Sequence, residues 1–127
     1  MYKGKIEDLK PETILHTRWG WDMTINDFAV VLENRGKTLK CQMVEKKVVE
    51  GDPYGPGGTG KVAPDDSERY GKPFRVRISP AKFEDGFWLV GSYPCGVAKG
   101  EGKYEGERRG HWEVHDGRDG YYENHFD

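Results

Sequence analysis

Apolar and polar residues alternate along this chain in short bursts, and each burst is cut off by Gly, Pro, Asn or Asp. A period of two marks strands with one face in a core. Thr13-Ile14-Leu15-His16-Thr17-Arg18-Trp19 reads as a first strand ending at Gly20. Phe28 to Glu33 is the most apolar run and predicts a strand buried on both faces, followed by a turn over Asn34 to Lys37. Thr38 to Val49 predicts a long strand with Leu39, Cys41 and Met43 on one face. Val44 and Val48 fall on the other parity, so a bulge is expected near Glu45 or Lys46.

Between residues 50 and 70 the period is lost, and the Gly, Pro and Asp content predicts a long loop around the short piece Lys61-Val62-Ala63. Strict alternation returns at Phe74-Arg75-Val76-Arg77-Ile78, and Phe87 to Gly91 follows as another strand. Residues 96–110 mix Gly with both charges and read as a mobile loop. His111 to His115, an Asp116-Gly117 turn and Tyr121 to Asn124 close the chain as a hairpin. Eighteen Gly and seven Pro leave no amphipathic helix, only short turns at Ser79 to Glu84 or Pro64 to Tyr70. The fold class is therefore mainly β: one domain over 1–127, a small antiparallel barrel or strongly curled sheet, with an SH3-like barrel the nearest common type.

Composition adds the nature of the core. Aliphatic residues are sparse, but four Trp, seven Tyr and five Phe bury large areas, and a net charge of −2 gives little self-repulsion. That charge argues against a protein that coats nucleic acid over its whole surface, yet leaves room for a local basic face. No run reaches the roughly 18 apolar residues of a membrane span, and Met1 to Lys10 lacks a signal-like apolar stretch, so a cytoplasmic protein is expected. Cys41 and Cys95 are then expected as reduced, packed thiols.

Four groups of residues carry candidate chemistry. Gly55-Pro56-Gly57-Gly58-Thr59-Gly60-Lys61 has the spacing of a phosphate-binding loop. Val62 replaces the required hydroxyl residue, and Pro64 interrupts the helix such a loop needs, so only anion binding by backbone amides over 51–61 survives. His111, Glu113 and His115 alternate and would share one strand face, with His125 across the hairpin, a donor set that could hold Zn²⁺. Solvated polar residues opposite Trp112 and Val114 explain the same pattern without metal. The turn Trp19-Gly20-Trp21-Asp22-Met23-Thr24-Ile25-Asn26 sets rings and a thioether among short polar groups, which suits either a packed turn or a partner-binding surface formed by Trp19, Trp21, Asp22, Met23, Thr24 and Asn26. Arg35, Lys37, Lys40, Arg75 and Arg77 could hold nucleic-acid phosphates, with Trp21, Tyr54 or Tyr70 stacking on bases. No catalytic constellation stands out, and no cofactor is implied.

Trp19-Gly20-Trp21-Asp22-x-Thr24-x-x-Asp27-Phe28, the hairpin Gly36-Lys37-Thr38 and the closing Tyr122-Glu123-Asn124-His125-Phe126-Asp127 resemble a family of small bacteriophage and prophage proteins from Gram-positive hosts. Trp21 and Met23 stand where that pattern carries Tyr and Gln. The family brings no established activity. The resemblance implies an accessory protein acting in host takeover or counter-defence. The expectation is a non-enzymatic module that binds a host protein through the Trp-rich turn, with nucleic-acid binding through the basic residues as the alternative. A metal-dependent enzyme and a protein that sequesters small nucleotides are weaker alternatives.

Overall fold

The computed structural model describes the chain apart from residues 21–22, 56–57, 95–96, 100–101, 105 and 126–127, with 97–99 and 102–104 described by backbone alone. Strands form where the apolar alternation lies: β1 (Ile14–Trp19), β2 (Ile25–Asn34), β3 (Thr38–Asp52), β4 (Thr59–Pro80), β5 (Phe87–Pro94), β6 (Val97–Lys99), β7 (Gly102–Tyr104), β8 (Glu107–Val114) and β9 (Tyr121–Asn124). The order β3-β2-β1-β8-β5-β4 returns to β3 through a β3–β4 pairing, which closes an antiparallel barrel of six strands. Closure removes the free sheet edges that would otherwise invite aggregation. β9 pairs with the N-terminal end of β4, from Thr59↔Asn124 to Val62↔Tyr121.

Two apolar clusters follow from the two faces of β2. Ala29 and Val31 point into the barrel with Leu15, Leu39, Cys41, Met43, Val76, Ile78, Leu89, Tyr93 and Trp112, and Leu9 joins this cluster. Phe28 and Val30 point outward, where Val44, Val62 of β4 and Tyr121 of β9 cover them. The parity change after Met43 has the same origin: Met43 faces the barrel and Val44 the outer cluster. The register also shifts between Val44 and Glu45, at the expected position, but the surplus residues lie on β4, between Asp65 and Arg69, and not on β3.

The long loop expected over 50–70 is instead mostly strand, including the stretch Pro64 to Tyr70 read as a turn. β3 and β4 run on as a ribbon from Glu45↔Asp65 to Asp52↔Thr59. Backbone pairing holds this ribbon, so its side chains need no apolar period, and the surplus residues leave the ladder where Cys41↔Phe74 gives way to Met43↔Tyr70 and Val44↔Arg69 to Glu45↔Asp65. Within 96–110, likewise, β6 pairs with β7, and β8 starts at Glu107. Gly91 and Gly110 face each other between β5 and β8. A Cβ on Gly91 would collide with the Arg75 carbonyl, and one on Gly110 would lie 2.8 Å from the Trp112 indole nitrogen. The bare backbone at this pair lets Trp112 enter the barrel and donate to the Gly91 carbonyl at 3.3 Å.

Candidate functional site

Alternation decides where the basic residues go. Leu39, Cys41, Val76 and Ile78 point inward, so Lys40 on β3 and Arg75 and Arg77 on β4 point to the outer face. Antiparallel register sets Lys40 opposite Arg75 and Thr38 opposite Arg77. The hairpin between β2 and β3 adds Arg35 and Lys37, and it is fixed by the Asn34 carboxamide, which accepts from the Gly36 amide at 2.8 Å. Ile78 donates its amide to the Lys37 carbonyl at 2.9 Å, docking the hairpin onto β4. The five cations line two adjoining hollows that share Arg75: one of about 210 Å³ with Arg35 and Lys40, and one of about 550 Å³ with Lys37 and Arg77.

Compensation is slight. Arg35 pairs with Glu33 at 3.2 Å, whereas Lys37, Lys40, Arg75 and Arg77 form no ion pair among the described residues. The same face continues across β5 and β8: Val90 lies opposite Arg77, Trp88 opposite Ser79, and exposed His111 and Arg109 opposite Val90 and Ser92. Two of the stacking residues expected beside the cations, Tyr54 and Tyr70, lie elsewhere. Tyr54 packs its ring 4.7 Å from that of His125, Tyr70 lines a separate hollow of about 750 Å³ with Lys72 and Pro94, and Trp21 is outside the described residues.

No family model, curated protein or solved structure matches this chain.

The described residues of the Trp-rich turn are largely committed to packing. Trp19 donates its indole N–H to Asp27 at 2.7 Å and lies under the Arg108 guanidinium at 3.5 Å. Tyr93 donates to the same carboxylate at 2.8 Å. Thr24 exchanges two backbone hydrogen bonds with Asn124, and Met23 is half-buried. Asp22, like Trp21, is outside the described residues. Asn26, expected on a binding surface, is fully buried, and that expectation is corrected.

Asn26 belongs to an interior polar network that the sequence reading missed. Its backbone amide donates to Glu123 at 2.9 Å and its carboxamide N–H to the Tyr122 carbonyl at 2.8 Å. The carboxamide oxygen must then accept, so His16 donates to it through Nε2 at 2.7 Å. Lys46 reaches Glu123 at 2.9 Å and His125 meets its other oxygen at 2.9 Å. Burial pushes the Glu123 carboxyl up, but the Asn26 amide, His125 and Lys46 together hold it below its usual value. Burial pulls His16 down, and its ring stacks on Tyr121 at 3.8 Å. The one signal in the sequence was parity: Glu123 shares a strand face with Tyr121.

The metal reading does not assemble. His111 and Glu113 share the outer face of β8, with the Met1 amino group on Glu113 at 3.0 Å, but His115 follows the end of the strand and bonds the Tyr121 hydroxyl through Nδ1 at 2.8 Å. Among the described residues no group of three or more His, Cys, Asp and Glu could hold a metal ion. The segment 51–61 forms the end of the β3–β4 ribbon, where Thr59 to Lys61 are strand and Lys61 pairs with Glu50 at 3.7 Å; Pro56 and Gly57 are outside the described residues. Burial pushes the Cys41 thiol up to about 12, as suits a packed and unreactive group. No helix among the described residues is long and apolar enough to cross a membrane.

Proposed function

We propose that this protein is a binding module for nucleic acid, gripping the phosphate backbone with the outer face of β3 and β4 and the hairpin beside them. The observation that carries this reading is the register of Lys40 with Arg75 and of Thr38 with Arg77, which gathers Arg35, Lys37, Lys40, Arg75 and Arg77 around shared hollows with one ion pair among them. Alternate positions on a strand are roughly 6.6 Å apart, a repeat that suits successive phosphates along an extended strand. A chain of net charge −2 that collects cations on one face supports a local footprint rather than general stickiness.

The motif resemblance supports a phage or prophage accessory role, in host takeover or counter-defence inside the host cytoplasm. Binding of a labelled oligonucleotide, titrated with salt, tests the reading. The affinity should fall steeply with salt, and Arg75→Gln with Arg77→Gln should flatten the slope by about two, one per lost phosphate contact. Absence of binding at low salt would overturn it.

A further inference from the structure

The cationic face ends in exposed rings. Trp88 lies opposite Ser79 and diagonal to Arg77 on the same outer face, and it is 44% exposed. Phe83, in the turn between β4 and β5, is 97% exposed. The two rings flank a hollow of about 410 Å³ whose wall also carries Lys82 and Pro80. Glu84 beside them is paired with Lys3 at 3.5 Å.

The contrast with the other indoles is informative. Trp19 donates to Asp27 and Trp112 to the Gly91 carbonyl, whereas Trp88 has no hydrogen-bond partner among the described residues. Its position is not required by the core, since Leu89 beside it is the residue that enters the barrel. Two solvent-facing rings at the end of a row of cations offer what an unpaired base needs: a π-face for the base and a charge for its phosphate. A duplex, with its bases stacked inside, gains nothing from them.

Resting on the nucleic-acid reading above, we infer that the ligand is single-stranded, its backbone running along Lys40, Arg75 and Arg77 and its bases stacking on Trp88 and Phe83. The test compares a single-stranded oligonucleotide, the same sequence as a duplex, and poly-glutamate, each against wild type, Trp88→Ala, Trp88→Phe and Phe83→Ala. All are surface changes, and thermal melting checks that each variant folds. Single strand should bind best, Trp88→Ala should weaken it about tenfold, and Trp88→Phe should restore most of the loss. Equal binding of duplex, unchanged by Trp88→Ala, would overturn this inference and leave the nucleic-acid reading standing. Poly-glutamate binding as tightly as either nucleic acid would mean a general polyanion site and sink both.

Discussion

Charge is handled in opposite ways at two places on this barrel. Around Glu123 an ionised carboxylate is enclosed completely, and each of its oxygens is met by a donor: the Asn26 amide and Lys46 on one, His125 on the other. On the outer face of β3 and β4 four cations form no ion pair with a carboxylate among the described residues. Buried charge is tolerated only when fully satisfied, so the first region is fixed by the fold and has nothing left to offer a ligand. Exposed charge costs the fold little and stays available.

Removing Glu123 should hurt most. Glu123→Ala leaves the Asn26 amide without its acceptor and the Lys46 ammonium without its counter-charge, held by the Asn26 carbonyl at 2.7 Å, and a loss of about 3–5 kcal/mol in urea unfolding is expected. A loss under about 1 kcal/mol would mean that the network is not what holds β9 in place. Next comes Gly91→Ala, whose methyl must push the Arg75 carbonyl away; a cost of about 1–3 kcal/mol is expected. Because the displaced carbonyl belongs to the cationic strand, this variant should also weaken oligonucleotide binding. A free energy unchanged by Gly91→Ala would refute the tight β4–β5 approach.

Acid should act in two stages. His16 is held below its usual 6.5, so the unfolded chain takes up this proton first, and the stability conferred by the neutral ring is lost as pH falls from about 6.5 through the folded value. Glu123 is held below its usual 4.5, so its contribution, present above about 4.5, is lost as pH falls through its own folded value. Urea midpoints measured across this range should decline in that order; because burial also holds His115 below its usual 6.5, His16→Gln should shrink the first stage and His16→Gln with His115→Gln should remove it. The smallest effect belongs to the open face. Arg75→Gln with Arg77→Gln should leave the melting temperature in place, and a clear drop would show these cations to be structural after all.

The sequence made the barrel legible because its walls obey alternation: Leu39, Cys41 and Met43 on β3 and Val76 and Ile78 on β4 all enter the core as their spacing predicts. The stretch 50–70 reads as loop because what pairs it is backbone, from Glu45↔Asp65 to Asp52↔Thr59, and Asp65, Ser67 and Arg69 carry no apolar period. The five cations could be named from sequence, but their meeting depends on a register between segments more than 30 residues apart, Lys40 with Arg75. Glu123 was hidden for the same reason, since its partners Asn26 and Lys46 lie 97 and 77 residues away. Trp88 looked like any strand aromatic until its outward direction was known.

One strand, β4, passes through the whole molecule: Val76 and Ile78 help fill the barrel, Val62 caps the outer cluster, and Thr59 to Val62 hold β9. Such a shared thread ties the fates of both clusters. Amide hydrogens along Val62, Val76 and Ile78 should exchange with deuterium at a common slow rate, set by opening of the entire molecule, while those in the Phe83 turn trade freely.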